Sequence, residues 1–421
     1  MKKLISIILL LTAATAWAQH GRYVGGDISL LPAYEDSKTI YLDKENKAIP
    51  DLITWAVETC GWNAFRIRLF VNPDNSNCEG LFQDIDYVKK VGKRIKDAGA
   101  AFMLDIHYSD TWADPSKQHT PSAWSDCTTP AAKAERLYNY TKDVLKTLID
   151  YGAEPDLVQV GNEITTGIVD VWRYSTRDDY YMIVEKGCKA VREVCPKAKI
   201  VIHIDHPENT SNVITYYSLL DKSLFDVIGL SYYPFWHGTL KQLGSTLSSI
   251  QSNFPTKEVQ IVETAYNFQY SFNHPSSEQA CVWPISKEGQ QAFMKALIDT
   301  LSHHANVDGL YYWCPEEAGN GDAANWTSKQ GVVIGSWMNR GLWDSKNSTK
   351  AAGTTNVWGH ALNNNVPYMM RDFLNPDIVG IAEIAAENTA KGISGTFSIT
   401  GQPAGTGTKG ILIRNGKKYI R

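Results

Sequence analysis

Cysteine is scarce and poorly placed for metal chemistry. Seven occur in 421 residues (Cys60, Cys78, Cys127, Cys188, Cys195, Cys281 and Cys314), with no C-x-x-C pair and no zinc-type spacing. Their odd number leaves at least one thiol free within a single chain. Cys188 and Cys195 fall on one face of a predicted helix but roughly 10 Å apart, too far for a disulfide. Charge excess is also lacking: 41 Lys+Arg against 45 Asp+Glu give a net charge of −4, with no basic field for nucleic acid. After the first twenty residues no apolar run is long enough for a membrane span. The run Leu4–Ala14 follows Lys2 and Lys3 and precedes Ala16-Trp17-Ala18, the pattern of a secretory signal with cleavage before Gln19. The chain is therefore expected to be exported, to the periplasm, cell surface or medium. With no cysteine near that cleavage point, a lipid anchor is not expected.

What the chain has in quantity is aromatic side chains, with 13 Trp and 21 Tyr, and enough apolar residues (43%) for a large core. Strand-like runs occur at 23–29, 64–71, 101–107, 157–163, 199–205, 227–233, 259–264 and 309–314. Amphipathic stretches separate them at 50–59, 85–98, 131–151, 178–194, 212–220, 240–253 and 287–303. Strands alternating with helices imply βαβ units and a parallel sheet, and eight of them imply an α/β fold of the (β/α)8 TIM-barrel type. An open doubly wound sheet is the alternative, but no Gly-x-Gly-x-x-Gly turn follows the first strand. The expected division is 1–18 signal segment, 19–388 barrel domain and 389–421 a β-rich tail. In that tail, Ile411–Ile420 reads as a hairpin turning at Asn415-Gly416. The tail resembles a shortened sorting domain of exported Bacteroidetes proteins, and equally suits a small β-appendage.

In a TIM barrel the loops at the C-terminal strand ends form the active face, and the polar residues collect there. They include His107, Tyr108 and Asp110 after the third strand, Asn162 and Glu163 at the fourth, and Asp205 and His206 after the fifth. Tyr232, Tyr233, Trp236 and His237 follow the sixth, Glu263 and Tyr266 the seventh, Trp313 and Glu316 the eighth. Any one of these fits a satisfied loop residue, whereas the set points to a site. Trp112, Trp236, Trp313 and Trp326 fall on the same face, where flat rings suit the C–H faces of sugars. Two carboxylates closing buried strands are what glycoside hydrolysis requires. Residue types alone indicate a β-glycanase.

Several segments together resemble glycoside hydrolase family 53, the endo-β-1,4-galactanases. They are Gly25-Gly-Asp27-Ile-Ser29-Leu-Leu-Pro32, Arg66-Ile-Arg68-Leu, Asp105-Ile-His107-Tyr-Ser-Asp110-Thr-Trp112-Ala-Asp-Pro115, Val158-Gln-Val-Gly-Asn162-Glu163-Ile, Ile228-Gly-Leu-Ser-Tyr232-Tyr-Pro-Phe-Trp236-His237-Gly and Val262-Glu263-Thr-Ala-Tyr266. The likeness spans roughly residues 23–345. It implies a retaining hydrolase of β-1,4-galactan, with Glu163 as acid/base and Glu263 as nucleophile. It places Asn162 at the substrate 2-hydroxyl and Arg66 (or Arg68, on the same face) on Glu263 to hold it ionised at a low pKa. Tyr232 or Tyr233 and Trp313 would flank the cleaved sugar. His107, Asp110, Trp112, Trp236 and His237 would line the cleft, the two histidines having hydrogen-bonded loop roles as the alternative. No cofactor is required by this chemistry. A structural calcium is compatible with oxygen ligands around Asp322, although the spacing is not an EF-hand. The expected partner is the polysaccharide, with no nucleic acid and no membrane span, and the protein is expected to be a monomer. A mannanase or xylanase on the same barrel is the alternative enzyme, and a non-catalytic carbohydrate-binding barrel the alternative class.

Overall fold

A computed structural model describes residues 21–76, 80–269, 282–318 and 339–374, and the strands Thr396–Ser398, Ile411–Arg414 and Lys417–Ile420. The signal segment, Cys78, Cys281, Trp326, Asp322 with its neighbours, and the Asn415-Gly416 turn lie outside the described residues. The chain divides into two compact units, Met1–Arg371 and Asp372–Arg421.

The larger unit is a closed barrel of eight parallel strands: β1 (Tyr23–Asp27), β2 (Ala64–Leu69), β3 (Ala101–Ile106), β4 (Leu157–Val160), β5 (Lys199–Ile204), β6 (Val227–Ser231), β7 (Glu258–Thr264) and β8 (Val307–Trp313). Each pairs with its neighbour in sequence, and β1 closes the ring on β8 with Asp27 opposite both Arg66 and Trp313. From β2 to β7 a helix follows each strand: α1 (Ile85–Asp97), α2 (Pro130–Asp150), α3 (Arg177–Val194), α4 (Thr210–Ser218), α5 (Leu240–Asn253) and α6 (Lys287–Ser302). Side chains of Asp84, Thr129, Asn209, Thr239 and Ser286 accept from backbone N–H groups of the first turns of α1, α2, α4, α5 and α6. These bonds satisfy donors that a helix start leaves unpaired. Between β1 and β2, the run expected to be one helix over 50–59 is a short helix, Leu52–Trp55, that widens into a π-helical turn, Ala56–Cys60, and stops at Gly61 (φ 76°).

The strands alternate inward and outward, which sorts the barrel interior into layers. Ala64, Met103, Leu157, Val201, Val227 and Tyr311 form a fully buried apolar layer. Two residues further along β2–β5 the inward positions become Arg66, Asp105, Gln159 and His203, all with no exposed surface. The barrel interior is thus greasy below and charged above, and the charged layer supports the loops that follow. Among the described residues Cys60, Cys127, Cys188, Cys195 and Cys314 are free and buried. No described helix is long and apolar enough to cross a membrane.

In the smaller unit, Thr396–Ser398, Ile411–Arg414 and Lys417–Ile420 form a three-stranded antiparallel sheet. Arg414 lies opposite Lys417, the pairing of a two-residue hairpin.

Candidate active site

The site begins with backbone conformation. The residues following the barrel strands leave the β region abruptly: Tyr108, Glu163, His206 and Cys314 all have positive φ (51°, 43°, 54° and 50°). Such conformations are costly outside glycine and concentrate where a side chain must be aimed. After β4 the turn is prepared by Gly161 (φ 82°), where an added Cβ would lie 2.5 Å from Ile164 Cγ2. The Ile164 N–H then donates to the His203 carbonyl at 3.0 Å, pinning the turn to β5. The outcome is that Asn162 and Glu163 project over the barrel mouth.

Arg66 organises the layer beneath. Its guanidinium reaches Asp27 Oδ2 at 2.7 Å, Asp105 Oδ2 at 2.8 Å and Glu263 Oε1 at 2.9 Å. It also donates to Asn162 Oδ1 at 2.7 Å and Gln159 Oε1 at 3.1 Å. One cation therefore links β1, β3, β4 and β7. Of the two arginines that period two allowed for this task, the structure selects Arg66. Arg68 instead pairs with Asp27 Oδ1 at 3.0 Å and lies over the rings of Trp112 and Trp313, at 4.4 and 5.6 Å from their centroids. Trp112 and Trp313 meet at 6.1 Å and make an aromatic wall backed by charge.

Glu263 receives a second donor, the Tyr233 hydroxyl on Oε2 at 2.9 Å. Tyr232 does not face the cleft, correcting the expectation that either tyrosine could. It is fully buried, stacks on Phe293 of α6 and donates to the Gly238 carbonyl at 3.1 Å. Consecutive residues leaving a strand point to opposite sides, so only one of the pair could turn inward. Trp236 stands edge-on to Tyr233 with the Arg340 guanidinium 4.8 Å from its ring centre.

Glu163 lies partly open to the cleft, with the Ser231 hydroxyl donating to Oε1 at 2.6 Å. Burial raises its pKa well above the ordinary carboxylate range, and the charges of Glu263 and Asp205 add to the effect. Glu263 departs from expectation: burial pushes it up to about 7, with Arg66 pulling in the opposite direction. The cation cannot hold Glu263 low because Asp27 and Asp105 share it. The order of the pair survives, since Glu263 is stabilised in its charged form by a guanidinium and a phenol while Glu163 has the Ser231 hydroxyl as donor and carboxylates around it.

The remaining expected residues take up different tasks. Asn162 donates through Nδ2 to the Ala113 carbonyl at 2.9 Å, leaving one Nδ2 hydrogen uncommitted among the described residues. His107 donates through Nε2 to Asp105 (3.0 Å) and accepts the Ala113 N–H on Nδ1 (3.1 Å). It braces the third loop against the charged layer. Asp110 ties loops together, accepting from Asn72 N–H on Oδ1 (3.1 Å) and from the Ser122 N–H (2.8 Å) and hydroxyl (2.7 Å) on Oδ2. His237 accepts the Tyr233 N–H at 3.1 Å on Nδ1, and its pKa is lowered to about 4, chiefly by burial.

Asp205, His206 and His237 bring ligand-type atoms within 4.8 Å of one another. A metal-bound imidazole carries its proton on the nitrogen away from the ion. His237 Nδ1 accepts a backbone N–H, which places its hydrogen on Nε2. The trio is consequently a poor cation site. The possible calcium ligands around Asp322 fall outside the described residues.

Sequence reading missed Asp27, Gln159, His203 and Ser231. Each is a fully buried polar residue on a barrel strand. A polar residue at an inward position of an otherwise apolar strand was the available signal.

Comparisons with known proteins agree on one family. The profile of glycosyl hydrolase family 53 matches residues 23–355. The arabinogalactan endo-β-1,4-galactanase A of Aspergillus niger is 34% identical over 331 residues, covering 74% of this chain and 89% of its own length. The endo-β-1,4-galactanase of Bacillus subtilis is 32% identical over 303 residues, covering 69% of each. Among solved structures, a fungal β-1,4-galactanase superposes with a TM-score of 0.65 at 27% identity, covering 78% of this chain and 96% of its own. The GH53 catalytic domain of Ignisphaera aggregans gives 0.67 at 26%, covering 84% and 95%. Barrel, paired glutamates and profile converge, and the chain belongs to glycosyl hydrolase family 53.

Proposed function

We propose that the protein is a retaining endo-β-1,4-galactanase acting on pectic galactan and type I arabinogalactan. The observation that carries the reading is the asymmetry of the two carboxyls. Glu263 at the end of β7 is held by Arg66 and Tyr233, while the Glu163 carboxyl after β4 accepts a hydrogen bond from Ser231 and has no cation paired with it among the described residues. The names of the relatives supply the galactan.

In the first step the ionised Glu263 attacks the anomeric carbon while the proton of Glu163 passes to the glycosidic oxygen. The C–O bond breaks and the departing chain keeps that proton as a hydroxyl. Arg66 and Tyr233 hold the Glu263 carboxylate in line. Asn162 presents its uncommitted amide hydrogen to the sugar, and Trp112, Trp313 and Trp236 offer ring faces. Esterification removes the charge of Glu263, one of the causes that raise Glu163. Glu163 then ionises more readily and accepts a proton from the water that displaces Glu263. Residues 1–18 are proposed to be removed on export, and sequencing of the mature N-terminus should read Gln19.

The product profile from linear galactan, followed by NMR of the newly formed anomer, tests the whole reading. Oligosaccharides of β configuration are expected, with mannan and xylan uncut. Absence of galactan cleavage would remove the substrate, and an initial α anomer would remove retention.

A further inference from the structure

Beneath Glu163 lies a chain of hydrogen bonds that the mechanism above does not use. His203 Nε2 is 2.8 Å from Ser231 Oγ, and Ser231 Oγ is 2.6 Å from Glu163 Oε1. On the other side of the ring, the Glu163 backbone N–H points at His203 Nδ1 at 3.3 Å. Both His203 and Ser231 are fully buried, on β5 and β6. The loop is closed: Glu163 touches the same imidazole through its own backbone and, by way of Ser231, through its carboxyl.

The direction of the chain follows from donors and acceptors. A backbone N–H can only donate, so His203 Nδ1 accepts it and carries no hydrogen. Gln159 Nε2, 3.1 Å from the same nitrogen, is also a donor, because its Oε1 accepts from Arg66 Nε. A doubly protonated ring is disfavoured: His203 is buried beside Arg66, and both effects push its pKa well below the usual histidine range. The single ring hydrogen therefore sits on Nε2 and donates to Ser231 Oγ. That leaves the one hydroxyl hydrogen of Ser231 to donate onward to Glu163 Oε1. The reversed chain would put a hydrogen on Nδ1, toward Asn162 Oδ1 at 3.1 Å. It would then leave the Glu163 N–H facing another N–H.

We propose that His203 and Ser231 form a one-way hydrogen-bond relay that keeps the Glu163 proton off Oε1 and on Oε2, and that assists ionisation of Glu163 in the second half of the reaction. Oε1 already receives a hydrogen, and because the carbonyl oxygen of a carboxyl accepts better than its hydroxyl oxygen, the exchangeable one is favoured on Oε2. The same donated bond favours the carboxylate over the acid, because a hydrogen bond to a charged acceptor is stronger than one to a neutral one. Both are positioning residues, acting through Glu163. The proposal rests on the acid/base reading of Glu163. The groups that also face this carboxyl are Glu263 from β7, Asp205 from β5 and Asp114 from the loop after β3, with the phenol of Tyr233 beyond β6.

The test is the pH dependence of kcat/KM on galactan, whose basic limb reports loss of the Glu163 proton. Ser231→Ala is expected to move that limb upward by about one pH unit, and Ser231→Thr to restore it. His203→Asn should move it the same way, with the double variant no further displaced than Ser231→Ala. A Ser231→Ala enzyme with lower kcat and an unmoved limb would overturn the relay. Independently of substrate, nitrogen-15 NMR of wild-type His203 should show its hydrogen on Nε2, and hydrogen on Nδ1 would overturn the direction. If galactan is not cleaved at all, carbon-13 titration of Glu163 in wild type and Ser231→Ala still reads the shift. The substrate reading would then fail while the relay is judged on its own.

Discussion

At the scale of single residues, neighbours in sequence have opposite fates. Tyr233 donates to Glu263 and Tyr232 is packed against α6. Tyr233→Phe should raise the acidic limb of kcat/KM, since the phenol favours ionised Glu263, and lower kcat/KM about 10–100-fold. Tyr232→Phe should leave the pH profile in place and cost about 1 kcal/mol of stability, read by denaturant titration. Glu263→Ala should reduce turnover by about four orders of magnitude while calorimetry still detects oligosaccharide binding. Unchanged turnover would remove the nucleophile assignment. Arg66 stands apart because three carboxylates meet on it. Arg66→Met should destabilise the fold by about 3–5 kcal/mol, the usual result of stranding buried charges, in addition to abolishing activity.

At the scale of elements, strands deliver the site and turns aim it. The β4 exit uses two left-handed residues within three positions, Gly161 and Glu163. Gly161→Ala should cost about 1–2 kcal/mol from strain at positive φ and contact with Ile164. It should also lower kcat more than KM, because the displaced residue is Glu163. A thermal melt and a kinetic titration on one sample would separate the two effects. The elements themselves were legible. All eight expected strands exist, and all six helices α1 to α6 begin and end within about two residues of expectation. Strand ends were read too long, by as much as three residues at β4, because the apolar run there is closed by Glu163 in sequence while the backbone has already turned at Gly161. The first helical stretch was misread as continuous, since a π-turn keeps helical periodicity in sequence.

At the scale of the whole molecule, a surplus of buried acids sets how stability responds to pH. Glu316, at the end of β8, is pushed up to about 8 by burial, and Glu317 beside it is raised well above its ordinary range. Asp308 is likewise raised to about 7. Their folded pKa values exceed the unfolded ones, so the folded protein holds protons that the unfolded chain releases. Their stabilising contribution is complete below about pH 4.5 and is lost as pH rises through the folded values. The buried histidines His203 and His237 act in the opposite sense, but only below about 6.5. Between about pH 6.5 and 8, Tm should therefore fall, each raised acid costing up to about 1.4 kcal/mol per pH unit while it remains protonated in the folded state alone. Glu316→Gln keeps an acceptor for the Leu30 N–H and should flatten that slope in a calorimetric pH series. An unchanged slope would count against protonated Glu316.

Local pattern alone determined a great deal about this protein: the alternation of strand and helix, the two glutamates closing apolar runs, and the family those motifs resemble. These are properties of a few consecutive residues, and period two or period 3.6 expresses them without knowledge of the rest of the chain. Partner choice was decided by tertiary structure. Arg66 over Arg68, Tyr233 over Tyr232, and the contact of Ser231 with Glu163, 68 residues earlier, depend on how far each strand slides before the barrel closes. The pKa of Glu263 belongs to the same class. Its neighbour Arg66 was foreseen, but the two aspartates sharing that cation come from β1 and β3. Charge balance in a closed barrel is a sum over strands that meet only in three dimensions.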